Sequence, residues 1–286
     1  MPPVIVDGSR PRWDGPGDRP IRLTLWEPRG DGPHPLVLLS HGTGGRVADL
    51  GWLADALAAA GILVAGVDHH GNTAADDAYL PEGFAFVWER PRDLSVVIDH
   101  LLDTRDDVDA GRIGAAGFSL GGYTCIALLG GRIDPHIALA VITGAAPMPP
   151  LPEFPDLIAR LGERHTADDL RHAAQEAAAS ARDERVRGAF AIAPSIGPLL
   201  DTASLAEITA PLAVRWGDAD DNAVPAQNAL RYLEVVPTAS GVSLGAGVGH
   251  YEFLAGSPDP EGARGRVAAD AVAFFRDLFA PGRMAP

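Results

Sequence analysis

Strand-like and helix-like segments that alternate along the chain predict an α/β fold with a mostly parallel central sheet flanked by helices. Three observations carry this prediction. Apolar runs of buried-strand length recur at residues 35–40, 62–67, 112–116, 188–193 and 211–216. Helical spacing of apolar residues intervenes, most clearly at Leu94, Val97, Ile98, Leu101 and Leu102. Loops rich in Gly, Asp and Asn follow the strand-like runs, at the edge where parallel sheets bind their ligands.

The elements follow in order. Residues 1–19 are rich in Pro, Gly and charge and read as an irregular lead-in. Residues 21–27 alternate apolar and polar side chains like an early antiparallel strand, and Gly30-Asp31-Gly32-Pro33 turns the chain into the strand at 35–40. A helix is predicted at 51–60, a buried strand at 62–67 and a helix at 92–102. The next strand runs from Arg112 into a tight turn and a helix, and residues 137–142 read as a further strand. Residues 147–184 interrupt the alternation with a proline-rich opening and an Ala-, Arg- and Glu-rich helical stretch, a candidate lid over the strand ends. Strands at 188–193 and 211–216 and a closing amphipathic helix at 267–279 complete one domain spanning 1–286.

The chemistry is concentrated in four loops. Gly117-Phe118-Ser119-Leu120-Gly121 lies between the strand ending near Ala116 and the helix beginning near Gly122. This is the setting of a nucleophile elbow, in which small neighbours allow a serine hydroxyl to project from a sharp strand-to-helix turn. Ser119 is therefore the candidate nucleophile. Upstream, His41-Gly42-Thr43-Gly44-Gly45 ends an apolar strand. Acyl transfer needs two N–H donors for a developing oxyanion, and the candidates are Leu120 and Thr43, with Gly44 as a substitute for Thr43. Downstream, His250 follows Gly249 ahead of the closing helix and is the candidate general base. His34, His100, His136, His165 and His172 read as solvated. The acid falls between serine and histidine in chain order, in Gly217-Asp218-Ala219-Asp220-Asp221. Counting forward from Gly217 favours Asp220, and counting back from Pro225 allows Asp221. Asp218 reads as a turn or capping carboxylate.

With these motifs, the chain resembles the α/β-hydrolase superfamily, and more narrowly the dienelactone-hydrolase-like and platelet-activating-factor-acetylhydrolase-like serine hydrolases. The resemblance covers residues 21–279 and includes His70-Gly71-Asn72-Thr73 and Trp88-Glu89-Arg90-Pro91-Arg92-Asp93-Leu94. It implies an α/β-hydrolase fold and a serine esterase using Ser119, His250 and Asp220. Dienelactone hydrolases proper use a cysteine nucleophile, so Ser119 points to an ordinary ester, thioester or lactone. The same three residues would serve an acyltransferase or cyclase, and a non-catalytic hydrolase-fold binding protein is the reading from a different class.

Composition narrows the field. With 38 acidic and 23 basic residues the chain carries a formal charge of −15, which disfavours nucleic acid and anionic membranes as partners. Every basic residue is arginine, so lysine Schiff-base and pyridoxal-phosphate chemistry is excluded. The single cysteine, Cys125, allows no internal disulfide and reads as a core residue. No metal-ligand spacing occurs and no cofactor is implied. No apolar run is long enough to span a membrane, and the N-terminus lacks a basic and then apolar leader, so a cytoplasmic location is expected. The expected partner is a small acyl substrate, contacted by Trp88, Tyr123, Tyr251, Leu157 and Leu161, with Phe84, Phe86 and Phe253 also near the relevant loops.

Overall fold

A computed structural model describes residues 3–76, 78–147 and 151–281. Eight strands form one sheet: β1 (Val4–Pro11), β2 (Asp18–Trp26), β3 (His34–Ser40), β4 (Leu63–Asp68), β5 (Val108–Phe118), β6 (Val186–Ile192), β7 (Leu212–Trp216) and β8 (Ala239–Ser243). Their spatial order is β1-β2-β4-β3-β5-β6-β7-β8. β1 and β2 pair antiparallel with their neighbours, and the other six strands are mutually parallel.

The parallel strands β3, β4 and β6 are almost wholly buried, as strands covered on both faces must be. One face carries α1 (Gly51–Ala59) and the closing helix α10 (Ala263–Leu278), which pack on each other beside β6. The other carries α3 (Arg90–Thr104) and α4 (Leu120–Leu128), with α9 (Ala229–Val235) beside β7 and β8 and the short α8 (Thr202–Ala206) against α9. The inner face of α10 is built around Phe275, which is fully buried against Phe190 and Phe279. Phe275→Ala is expected to cost about 3–5 kcal/mol of unfolding free energy, measured by denaturant titration.

Two expectations about elements are overturned. Within the expected irregular lead-in of residues 1–19, residues 4–11 form a strand, because β1 pairs with β2 through Ile5 opposite Ile21 and Asp7 opposite Arg19. Its inward positions include Asp7 and Arg10, whose buried ion pairs replace the apolar side chains that would have signalled a strand. Residues 137–142 belong to a helix, α5 (Pro135–Ile142), whose N-cap Asp134 accepts from the backbone N–H groups of His136 and Ile137. The Asp-Pro pair preceding that apolar run is a helix-start signal.

The candidate lid holds two helices, α6 (Leu157–Arg164) and α7 (Ala167–Glu176). α6 packs on α2 (Pro81–Ala85) and α7 on α5. In its proline-rich opening, Met148, Pro149 and Pro150 lie outside the described residues, as do Met1 and Pro2 at the start of the chain.

Candidate active site

β3 and β5 are adjacent, with Ser40 in register with Gly117, so the loops that leave them are side by side at the carboxyl edge of the sheet. Between β5 and α4 the chain turns on Ser119 alone, at φ +54° and ψ −118°. A side chain in that region carries strain of about 1–3 kcal/mol, which persists only where the surroundings enforce it. Here they do. A Cβ at Gly117 would strike the Gly121 carbonyl, and one at Gly121 would strike the Ser40 carbonyl, so the elbow, the helix start and the β3 end are packed backbone on backbone. The Ser119 N–H donates to Ile192 O at 2.9 Å, and its own carbonyl accepts from Gly122 N at 2.9 Å.

Two further loops bring partners to this hydroxyl. His250 Nε2 lies 3.0 Å from Ser119 Oγ, and His250 Nδ1 lies 2.6 Å from Asp220 Oδ2. The other Asp220 oxygen accepts from the backbone N–H groups of Asn222 at 3.0 Å and Ala223 at 2.7 Å. Asp220 and His250 are buried whereas Asp221 is exposed, and Asp218 accepts from the Trp216 indole. The Phe118 ring backs the imidazole at 4.7 Å between centroids. With the carboxylate on Nδ1, the tautomer that leaves Nε2 free to take a proton from Ser119 is the favoured one.

The β3 loop packs against the elbow, where a Cβ on Gly42 would come within 3.3 Å of the Ser119 Cβ. The Gly42 carbonyl accepts from His41 Nδ1 at 2.6 Å and Gly45 N at 3.3 Å, and in a planar trans peptide the Thr43 N–H then points the opposite way. Thr43 and Leu120 both line the cavity that contains Ser119, and neither N–H has an acceptor among the described residues. Leu120 opens α4, where no intrahelical acceptor exists. Gly44, the expected substitute, gives its N–H to Asn72 Oδ1 at 2.7 Å and its carbonyl to the Tyr79 hydroxyl, so it is already engaged.

Beneath this loop lies a second serine, histidine and carboxylate chain that sequence reasoning missed. Ser40 Oγ is 2.9 Å from His69 Nε2, and His69 Nδ1 is 2.8 Å from Asp93 Oδ2. Ser40 is wholly buried and does not line the cavity, so this chain has no access to a substrate. It supports the loop instead. The His69 N–H donates to His41 Nε2 at 3.2 Å, fixing His41 as the neutral tautomer that can donate to Gly42, and Arg90 donates to the His41 carbonyl. Arg10 from β1 anchors Asp93 and Glu89 at 2.6 and 2.9 Å.

Burial, and then the neighbouring Arg90 guanidinium, push His69 down to about 4 despite its bond to Asp93, and the same two causes hold His41 well below the usual imidazole range. For Asp93, burial raises the pKa, but Arg10 and the His69 hydrogen bond outweigh it and hold the carboxyl low. A histidine depressed in the folded state binds protons first when unfolded, so its contribution to stability is lost as pH falls below about 6.5. Lowering pH from 7.5 to 5 should therefore destabilise the fold by about 2 kcal/mol through His69 alone. His69→Gln should flatten that slope, as read from denaturant midpoints at the two pH values.

The cavity over Ser119 has a volume of about 380 Å³ and is walled chiefly by apolar side chains, among them Phe84, Val87, Ile142, Leu157, Ile158 and Ile196. Pro147, Leu151, Pro152, Glu153, Leu157 and Ile158 bring the candidate lid into that wall. Tyr251 also lines the cavity, and its hydroxyl accepts from Asn222 Nδ2 at 2.8 Å. Three expected contact residues do not line it. Trp88, Tyr123 and Leu161 are buried in the main core, as large apolar and aromatic side chains beneath a sheet edge commonly are. Of the secondary candidates Phe84 lines the cavity, and Phe86 and Phe253 are core. Cys125 is a free buried core residue whose thiol is pushed up by burial. Of the histidines expected to be solvated, His34 is buried, and half-buried His165 is 2.8 Å from Glu82 Oε1.

Among the described residues no cluster of three or more His, Cys, Asp or Glu is placed to hold a metal ion, and no helix is long and apolar enough to cross a membrane.

An eight-stranded, mostly parallel sheet covered on both faces, with a strained serine elbow after β5, is the α/β-hydrolase fold. The family model described as serine aminopeptidase, S33, matches residues 31–239, and the chain belongs to this family of serine hydrolases. No curated relative matches the sequence. Among solved structures the chain is similar to a ferulic acid esterase from Streptomyces cinnamoneus, with 20% identity and a TM-score of 0.56 over 99% of this chain and 90% of that one. It is likewise similar to Thermogutta terrifontis esterase 2 phosphoramylated by tabun, with 15% identity and a TM-score of 0.56 over 100% and 97%. An α/β serine hydrolase homologue from Coxiella burnetii gives 15% identity and a TM-score of 0.51 over 91% and 92%. At these identities the likeness is one of fold.

Proposed function

We propose that the protein hydrolyses carboxylic esters, with thioesters and lactones in the same reach, through an acyl-Ser119 intermediate. The observation that carries the reading is the unbroken hydrogen-bonded chain from Ser119 through His250 to Asp220, ending in an apolar cavity. His250 Nε2 takes the Ser119 proton as Oγ attacks the carbonyl carbon, and Asp220 stabilises the imidazolium that forms. The Thr43 and Leu120 N–H groups receive the oxyanion. The tetrahedral adduct expels the alcohol, which takes the proton from His250. Water, deprotonated by the same nitrogen, then releases the acid and restores Ser119.

The substrate is apolar and neutral around the scissile bond. Among the described residues the Arg, Lys, Asp and Glu side chains lining the cavity are Arg46, Asp49 and Glu153, and Arg46 is paired with Asp49 at 3.2 Å, so these residues offer no free cation for an anionic substrate. Residues 147–184 act as a cover that excludes water and adds apolar contact. The test is a panel of p-nitrophenyl esters of graded chain length, with lactones and an aminoacyl p-nitroanilide alongside. Ester turnover with free acid as the product supports the reading. Turnover confined to the anilide would replace it with peptide chemistry, and an acylated acceptor in place of free acid would replace it with acyl transfer.

A further inference from the structure

Ser119 is not the only residue forced into the left-handed region at this edge of the sheet. Ala193 and Ile196, in the loop after β6, have φ of +43° and +53°. For a β-branched residue this is a conformation that the surroundings must impose. Three bonds impose it here. Ser195 N donates to the carbonyl of Ser119 itself at 3.2 Å, the Tyr232 hydroxyl donates to the Ser195 carbonyl at 2.8 Å, and the N–H of Gly197 donates to Asn228 Oδ1 at 2.8 Å. Tyr232 and Asn228 are buried, and both extend from the chain that leaves the Asp220 loop for α9.

The turn so clamped places Ile196 in the cavity wall, one residue from the Ser195 bond to the elbow peptide. An adaptable wall would use a flexible side chain on relaxed backbone. This one is a branched side chain on a backbone held by the nucleophile on one side and by α9 on the other.

We infer that Ile196 is a specificity-determining residue that acts as a fixed steric limit next to the scissile carbonyl, admitting unbranched substituents and excluding those branched at the adjoining carbon. The inference rests on Ser119 being the acylated residue. Because the limit is rigid, a methyl group too many is refused by contact instead of being accommodated, and discrimination of tenfold or more per such group is the ordinary scale, about 10–200-fold.

The experiment compares wild type, Ile196→Gly and Ile196→Ala. Labelling of Ser119 by a fluorophosphonate is measured first, then kcat/KM for p-nitrophenyl butyrate against isobutyrate and pivalate, and for ethyl against tert-butyl butyrate. Wild type is expected to favour the unbranched member, and both variants should raise the branched-to-unbranched ratio by about tenfold or more in at least one series, the acyl or the alcohol. The backbone has its own readout. At positive φ glycine is unstrained and alanine is not, so Ile196→Gly should have the higher melting temperature of the two, the reverse of the usual order. Labelled Ser119 with unchanged ratios in both series overturns the inference and leaves the esterase reading standing. Alanine more stable than glycine overturns the fixed wall. A wild type that is not labelled at Ser119 removes both the reading and the inference.

Discussion

Replacing Ser119 with alanine is expected to lower ester turnover by about four orders of magnitude or more, the scale on which loss of a triad nucleophile acts. The fold should survive. Among the described residues Ser119 Oγ hydrogen-bonds to His250 alone, while the contacts that hold the elbow are made by backbone atoms of Ser119, Gly117, Gly121 and Ser40. Alanine can occupy the same turn with the same strain, so circular dichroism and the unfolding midpoint should change little. A folded variant that keeps more than about a tenth of wild-type turnover would mean that another group attacks the substrate.

Asp220→Asn is expected to reduce turnover by about 10⁴-fold, whereas Asp221→Asn should remain near wild type. The asymmetry follows from what each carboxylate touches. Asp220 accepts three hydrogen bonds, from His250 Nδ1 and from two backbone N–H groups, and Asp221 stands exposed. An asparagine at 220 must turn an NH₂ donor toward one of those donors, and its carbonyl carries no charge to stabilise an imidazolium. Parallel pH–rate profiles for the two variants and wild type would check this. Equal losses at the two positions would mean that the pair acts only through loop structure.

The parts of the site that sequence reading reached are those set by local rules. The elbow needs small residues on both sides of one serine within five positions, and the Asp220 loop follows β7, a strand whose apolar character is local. What escaped it depends on contacts distant in the chain. Ser40, His69 and Asp93 meet because Ser40 pairs with Val67 across β3 and β4 and because α3 crosses beneath, and nothing in their spacing announces this. β1 escaped because two of its inward side chains, Asp7 and Arg10, are ionic while Val4 and Val6 face outward, so the apolar alternation that marks a half-buried strand is missing. The run 137–142 misled because a short apolar stretch fits a strand and a buried helix equally well until the preceding Asp-Pro is weighed. Trp88, Tyr123 and Leu161 sit close to cavity loops in sequence, but which way a large side chain turns there is decided by the core.

Mass-spectrometric mapping of the adduct formed by a fluorophosphonate probe tests the central claim most directly. Two serines stand in hydrogen-bonded contact with a histidine and its carboxylate, Ser119 in the cavity wall and Ser40 in the core. The expected result is a single adduct on Ser119 that disappears in Ser119→Ala and is formed far more slowly in His250→Ala. An unlabelled Ser119 in folded wild-type protein, or an adduct on any other residue, would contradict it.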